Sequence, residues 1–176
     1  MTSNVKLNDT LLDLVRASTV TPRIVPFLFG EAGIGKTSWA KALGEHVYVV
    51  ECNLLADKAD VTGVDRETGP DGRKYQVFYP METILRANDA AKENPDDIVY
   101  IVFDEINRAT SDITSAVQTI PTSRRNGSLD LEDNIRFIFT GNDHGNVEPL
   151  DSASMTRYVA WHVEPDADIF LDLMGD

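Results

Sequence analysis

The sequence predicts a doubly wound α/β fold around a mostly parallel sheet of five strands, and three observations predict it. Apolar runs alternate with stretches of helical periodicity, which is the pattern of β-α-β units. The run at residues 98–103 is apolar without a break, as expected of a central parallel strand that is covered on both faces. A turn signal at residues 68–72 interrupts the alternation and predicts a β-hairpin insertion. The five strands are expected at residues 24–29, 47–50, 98–103, 137–140 and 158–163.

Length and charge limit the classes of protein that the chain can belong to. The 176 residues are enough for one domain with its own core. We expect an N-terminal helix and lead-in at residues 1–23, the α/β core at residues 24–163, and a short tail at residues 164–176. The net charge of −13 argues against direct contact with nucleic acid, where Lys and Arg neutralise phosphates. No stretch approaches the ~20 apolar residues of a membrane helix, so no membrane contact is expected.

Cys52 is the only cysteine, so the chain cannot form an internal disulfide. It lies in an apolar run, which favours a buried structural thiol over a reactive one. This cysteine usage fits a reducing compartment, and we expect a cytoplasmic protein.

Periodicity and breaking residues predict the elements around the first strand. A helix is expected at residues 8–17, with Asn8 or Asp9 as its cap. Pro26 is expected at the first residue of its strand, because proline cannot donate a hydrogen bond to a ladder. After the loop that follows this strand, another helix should run to about Gly44.

Prolines also bound the elements of the second half. One helix is expected between Pro80 and Pro95, and another should end before Pro121. Residues 122–134 are polar and predict a loop or a short hairpin. A short helix is expected at residues 150–156, before the last strand.

The most informative stretch follows the first predicted strand and fits the phosphate-binding pattern G-x-x-x-x-G-K-[ST]. Consecutive backbone N–H groups in such a loop form an anion-binding concavity, and the next helix points its positive dipole end at the same place. Lys36 adds a charge for the β- and γ-phosphates, and the Thr37 hydroxyl is a ligand for Mg²⁺. We therefore expect a nucleotide-binding loop made of Gly30, Glu31, Ala32, Gly33, Ile34, Gly35, Lys36, Thr37 and Ser38.

Asp104 and Glu105 close the central apolar run, at the sheet edge where the ligands of open α/β sheets gather. One carboxylate there can hold Mg²⁺ opposite Thr37, and a second can orient and polarise a water aimed at the γ-phosphate. We assign Asp104 to the metal and Glu105 to the water. A strand that simply ends in a charged turn would show the same residues, but the phosphate-binding loop upstream favours the functional interpretation.

Two further polar residues have two interpretations each. Asn142 follows the predicted strand at residues 137–140, where its amide can hold the attacking water or a γ-phosphate oxygen, although asparagine also suits turns. Arg157 precedes the last strand and can stabilise developing charge as an arginine finger. An arginine that ends a helix or joins a surface ion pair is at least as common. The residue pattern leaves both choices open.

These motifs, in this order, resemble those of the AAA+ ATPases, which are P-loop NTPases, and within them the MoxR-like or dynein-related branch. The resemblance covers roughly residues 24–163. It is carried by the phosphate-binding loop, by the run Asp104-Glu105-Ile106-Asn107-Arg108-Ala109, by Thr140-Gly141-Asn142, by Leu150-Asp151-Ser152-Ala153, and by Arg157-Tyr158.

The resemblance implies a Mg²⁺-dependent ATPase whose nucleotide is ATP and whose catalytic residues are Lys36, Glu105, Asn142 and Arg157. Glu105 is then the Walker B glutamate, Asn142 the first sensor, and Arg157 a finger that reaches the site of a neighbouring subunit. It also implies a homo-oligomeric ring, often a hexamer, that remodels a protein partner. The family continues into a helical lid, for which residues 164–176 leave room for one short helix only.

Other functions stay open at this point. The loops at residues 63–79 and 122–134 fall where the family has segments that face a pore or a partner, or they are ordinary solvated loops. The chain can instead be a nucleotide-binding switch or assembly module with little turnover. A DNA-packaging or helicase-type motor is a further alternative, against which the acidic charge counts. A small-molecule kinase would need a cationic closing segment, and no arginine cluster supplies one.

Overall fold

A computed structural model describes residues 3–21, 24–143 and 158–165 of the chain. Its helices are α1 Asp9–Ser18, α2 Lys36–Ala40, α3 Lys58–Val61, α4 Glu82–Glu93 and α5 Ser111–Ser123, with short 3-10 turns at Lys41–Leu43, Cys52–Leu54 and Ile106–Arg108. Its strands are β1 Ser3–Lys6, β2 Val25–Gly30, β3 His46–Glu51, β4 Thr62–Thr68, β5 Lys74–Pro80, β6 Val99–Asp104, β7 Arg125–Asn126, β8 Leu129–Asp130, β9 Ile135–Asn142 and β10 Tyr158–Glu164.

The main sheet is parallel throughout, in the order β1-β10-β2-β9-β6-β3. The predicted fold class is confirmed, and all five expected strands are present in this sheet. The structure adds a sixth strand, β1, at one edge, and within the described ranges β10 is its one pairing partner. The sequence did not predict β1 because this segment is short and mostly polar, and only its pairing with a distant strand makes it extended.

Both faces of the sheet are covered, which makes the fold doubly wound. One face packs on α4 and α5 through a core that includes Phe27, Ile101 and Phe137. The other packs on α1 and α2 through a second core with Leu28 and Ile138. All six residues of β6 are buried, as its unbroken apolar sequence predicted.

Two prolines occupy positions other than those predicted. Pro26 is the second residue of β2, because the strand begins at Val25. The pairing of β2 with β9 begins only at Phe27, so the missing N–H of Pro26 precedes the part of the strand that is paired on both sides. Pro121 lies inside α5, which was expected to end before it. The helix ends two residues later, so the proline removes a hydrogen bond only from the last turn.

The predicted β-hairpin insertion is present, and the segment predicted as a loop or a short hairpin also contains a hairpin. Strands β4 and β5 pair antiparallel from Thr62 with Pro80 to Thr68 with Lys74. Strands β7 and β8, of two residues each, pair antiparallel and form a second hairpin. Its turn contains Gly127 in the left-handed region at φ 60°, where a Cβ would also collide with the backbone of β5.

Asn126 joins the two hairpins. Its buried side chain accepts a hydrogen bond from Met81 N at 2.7 Å and donates one to Val61 O at 2.8 Å, and these residues flank the β4–β5 hairpin on both sides. The Ser128 backbone N–H also donates to Phe78 O at 2.8 Å. The base of the long hairpin is therefore fixed to the segment that follows α5.

Some sequence predictions fall on residues that the structure does not describe. They are the short helix at residues 150–156, Arg157, and the tail beyond residue 165. Among the helices that are described, none has the length and apolarity that a membrane crossing requires.

We expect Asn126→Ala to lower the free energy of unfolding by about 1–3 kcal/mol, because Met81 N–H and Val61 C=O lose their buried partner. Urea unfolding measures the change. Arg125→Ala is the matched control, because Arg125 precedes Asn126 and its side chain forms an exposed ion pair with Asp130. Equal losses in the two variants would contradict a clamping role for Asn126.

Candidate functional site

The candidate site lies where the carboxyl ends of three neighbouring strands, β2, β9 and β6, meet one edge of the sheet. This is the edge where ligands of open α/β sheets bind. A cavity of about 240 Å³ opens there, between the loop after β2 and the strand-end residues of β6 and β9. It is lined by Gly33, Gly35, Lys36, Thr37, Ser38, Asp104, Glu105 and Asn142.

The loop after β2 has the backbone geometry that its glycines predict. Gly35 precedes α2 with φ 89°, in the left-handed region that a residue with a Cβ rarely adopts. At Gly30 a Cβ would collide with the carbonyl oxygen of Val163 on the neighbouring strand β10. The loop can therefore turn tightly against the sheet and enter α2 beside the cavity.

Lys36 is folded back onto its own loop. Its Nζ donates hydrogen bonds to Gly30 O at 2.9 Å, to Glu31 O at 2.7 Å and to Asn142 Oδ1 at 3.3 Å. Burial lowers the pKa of Lys36, while the negative charge of Asp104 acts in the opposite direction. The ammonium group of Lys36 can bind phosphate oxygens in place of these carbonyl oxygens.

Asp104 is a buried carboxylate with both oxygens engaged. The Thr37 hydroxyl donates to its Oδ2 at 2.7 Å, and the Thr140 hydroxyl donates to its Oδ1. The side-chain oxygens of Asp104 and Thr37 thus lie together at the cavity wall, and hard oxygen ligands of this kind suit Mg²⁺. No group of three or more His, Cys, Asp or Glu side chains gathers in the described residues, and Mg²⁺ bound through one carboxylate, phosphate and water needs none. The residues present fit a Mg²⁺–nucleotide.

Glu105 has an unusual backbone conformation, with φ 51° and ψ 39°. A residue other than glycine in this region carries strain that the surroundings must hold in place. Here the Glu105 N–H donates to Thr140 Oγ1 at 3.1 Å. The side-chain Oε1 accepts from Asn142 Nδ2 at 3.1 Å, and Arg108 Nη1 lies 3.2 Å from both carboxylate oxygens.

Asn142 links the two charged residues of the cavity. It is the last residue of β9, and its amide accepts from Lys36 at one end and donates to Glu105 at the other. Asn107 holds its backbone from the side: Asn107 Nδ2 donates to Asn142 O at 2.6 Å, and Asn142 N donates to Asn107 Oδ1 at 3.0 Å. The Asn142 side chain thus lies between the lysine and the glutamate. Its backbone position is fixed by Asn107, in the turn after β6.

The predicted site residues do not all take the same part in this arrangement. Lys36, Thr37, Asp104, Glu105 and Asn142 come together, and Gly33, Gly35 and Ser38 line the same cavity. Gly30 and Glu31 contribute carbonyl groups to Lys36, whereas the side chain of Ile34 packs against the α1–α2 core. Ala32 is exposed outside the cavity lining, and Arg157 lies outside the described residues.

Sequence reasoning missed the contributions of Thr140, Asn107 and Arg108. Thr140 accepts from the Glu105 backbone and donates to Asp104, so it ties the two acids to β9. Strand register could have found it: Phe103 pairs with Phe139, so the next residue of each strand, Asp104 and Thr140, stands at the same level. The two side chains of the turn after β6 have no such signal, because their partners depend on the path of the chain.

Cys52 has the buried thiol that its apolar surroundings predicted. It is fully buried beside β3, and its Sγ lies 3.7 Å from Val50 O. Burial raises the pKa of this thiol to about 12, and the charge of Asp104 adds to the effect. A thiol of this kind remains protonated at neutral pH, as expected of a structural cysteine.

Comparison with known proteins gives a family match and a fold match. The sequence model of a family described as "AAA domain" matches residues 23–132. A solved structure of an ATPase candidate from Cytophaga hutchinsonii superposes with a TM-score of 0.63 at 17% identity, over 95% of this chain and 49% of that chain. PCH-2 of C. elegans matches with a TM-score of 0.48 at 19% identity, over 95% of this chain and 47% of that one. This chain thus spans about half the length of each. No curated protein matches the sequence.

We expect Asn107→Ala to weaken Mg²⁺–ATP binding more than its effect on stability accounts for. The reason is that the Asn142 backbone loses the two hydrogen bonds that position its side-chain amide in the cavity. Thr114→Val is the matched control: it also removes a buried hydrogen bond in the same turn, to Ile106 O at 3.1 Å, but leaves Asn142 untouched. Calorimetric affinity and thermal unfolding measure the two effects. If both variants lose affinity in proportion to stability, Asn107 has only a structural role.

Proposed function

Because the chain belongs to the AAA domain family, we propose that it binds Mg²⁺–ATP in the cavity after β2 and hydrolyses it to drive the remodelling of a protein partner. The single observation that carries the proposal is the meeting of Lys36, Thr37, Asp104, Glu105 and Asn142 around one cavity of about 240 Å³. These residues supply a cation, metal ligands, a carboxylate and an amide, which are the parts that phosphoryl transfer to water requires.

The loop and Lys36 bind the triphosphate. Backbone N–H groups at the start of α2 offer donors to the phosphate oxygens. The Lys36 ammonium, which also contacts Asn142, exchanges the carbonyls of Gly30 and Glu31 for the β- and γ-phosphates. Thr37 and Asp104 hold Mg²⁺, which, when bound, neutralises charge on the phosphates.

Glu105 orients the attacking water. Its carboxylate lies at the cavity wall, and its backbone conformation is fixed by Thr140. A carboxylate in this place accepts a hydrogen bond from water and aims the oxygen at the γ-phosphate. Asn142 keeps the glutamate and the phosphate-binding lysine in register, because it contacts both side chains.

We expect Glu105→Gln to bind Mg²⁺–ATP with near-unchanged affinity and to lower hydrolysis about 10²–10⁴-fold, because an amide cannot polarise the water as a carboxylate does. Glu51→Gln is the matched control, since Glu51 ends the neighbouring strand β3 in register with Asp104 but outside this cavity. Phosphate release and calorimetry measure the two quantities. Retained turnover in Glu105→Gln would remove Glu105 from the mechanism.

The assembly follows from the family resemblance. We propose a single ATPase domain of the MoxR-like or dynein-related branch, on the strength of the run from Asp104 to Ala109. As a member of that branch, this chain would assemble into a homo-oligomeric ring. Arg157 of one subunit would then reach the γ-phosphate bound by the next. Arg157 is outside the described residues, so its role rests on the sequence motif.

We expect Arg157→Ala to lose hydrolysis, because its transition-state charge is missing, and to recover part of it when mixed with Glu105→Gln. Mixed assemblies contain interfaces that combine an intact Glu105 with an intact Arg157 of the neighbour. Phosphate release by the mixture, with the mass of the assembly measured beside it, tests this. A mixture no more active than its separate components argues against a shared site.

A nucleotide-binding switch or assembly module with little turnover is the second candidate. The observation that favours it is the contact of Arg108 with both oxygens of the Glu105 carboxylate, because an arginine there occupies the acceptors that an attacking water would use. Phosphate release measured on the assembled protein at saturating Mg²⁺–ATP separates the two functions. Binding without measurable release supports the switch.

A further inference from the structure

The ion pair between Arg108 and Glu105 lies at the cavity, and the proposed mechanism makes no use of it. The 3-10 turn at Ile106–Arg108 follows Glu105 directly and returns the arginine to the carboxylate three residues earlier. Nη1 lies 3.2 Å from both Oε1 and Oε2. One nitrogen thus spans the two oxygens, without the paired, fork-like contact that makes arginine–carboxylate pairs strong.

The two carboxylate oxygens have different surroundings. Oε1 also accepts from Asn142, which holds the glutamate in place. For Oε2 the arginine is the only hydrogen-bond donor among the residues that the structure describes. A water that Glu105 is to orient needs a carboxylate oxygen as its acceptor, so Arg108 competes with that water for Oε2.

Of the two partners, the arginine is the one free to move. Glu105 is fixed by its left-handed backbone, by Thr140 and by Asn142. The side chain of Arg108 is 44% exposed and extends from a short turn, and its only hydrogen bonds within the described ranges go to Glu105. Opening the pair therefore means that Arg108 swings into solvent.

The charge of Arg108 is also felt at the phosphate-binding lysine. Burial is the main cause that lowers the pKa of Lys36, and the positive charge of Arg108 acts in the same direction. The arginine is therefore within electrostatic reach of the phosphate-binding lysine, while its own side chain lies outside the cavity lining.

We infer that Arg108 is a positioning residue that restrains turnover: it occupies the Glu105 Oε2 that the attacking water needs as its acceptor, and hydrolysis proceeds only in the fraction of sites where the pair is open. The inference rests on the proposed role of Glu105. It gives the site a built-in brake, formed by two residues three positions apart, that any group able to attract Arg108 would release.

The test is Arg108→Ala, studied as the full chain at matched assembly mass. An exposed ion pair of about 0.2–1 kcal/mol is closed often enough that its removal should raise kcat about two- to sixfold. KM for Mg²⁺–ATP should stay within about twofold, because Arg108 is absent from the cavity lining. Arg108→Lys keeps a charge that can reach Glu105 and should return kcat toward the wild-type value. Arg125→Ala removes another exposed arginine from an ion pair and should change neither quantity.

The outcomes separate the brake from the proposed mechanism. In the double variant Glu105→Gln, Arg108→Ala, hydrolysis should be as low as in Glu105→Gln alone, because the gain passes through the carboxylate. An unchanged or lower kcat in Arg108→Ala overturns the brake, even where Glu105→Gln shows that the glutamate is required. A gain that persists in the double variant overturns it as well, since Arg108 would then act elsewhere. Retained turnover in Glu105→Gln alone overturns the role of the glutamate and the brake together.

Discussion

The buried carboxylate of Asp104 is the interaction on which the rest of the site depends. A charge that is only 8% exposed is costly unless hydrogen bonds and opposite charge stabilise it. Thr37 donates from the first turn of α2, and Thr140 donates from β9. The ammonium of Lys36 supplies opposite charge close by. Satisfying this one group therefore joins β6 and β9 to the start of α2, where the phosphate-binding loop ends.

A second network extends from this edge to the turn after β6. Asn107 and Asn142 exchange two buried hydrogen bonds between residues 35 positions apart in the chain. Glu105 lies between the two networks in a strained conformation, which costs about 1–3 kcal/mol and persists because Thr140 and Asn142 hold it. The left-handed backbone of Glu105 ends the direction of strand β6, and the carboxylate lies at the cavity.

The two hairpins show how the rest of the chain relates to the site. Helix α5 begins soon after the 3-10 turn at Ile106–Arg108, and its Thr114 hydroxyl donates to Ile106 O within that turn. At the other end of the helix, Asn126 fastens the base of the long hairpin. The turn after β6 and the base of the long hairpin are therefore fastened near opposite ends of α5.

Much of the architecture could be predicted from sequence, because its signals are local. The glycine-rich loop, the unbroken apolar strand that ends in Asp104 and Glu105, and the turn signal of the long hairpin each depend on a few consecutive residues. Local patterns failed for β1, which is extended only because it pairs with the distant strand β10, and for the exact position of one proline in a helix. Pro121 continues α5 because it falls in the last turn, where one lost hydrogen bond is tolerated.

The sequence by itself determined that a phosphate-binding loop and a pair of acids stand at strand ends, since backbone conformation and hydrophobicity encode these features within each segment. Only the tertiary structure decided that Thr140 holds Asp104, that Asn107 fixes Asn142, and that Arg108 covers Glu105. Those contacts arise from the register of neighbouring parallel strands and the path of one turn. A linear pattern does not carry either of them, because it cannot show which distant residues become neighbours.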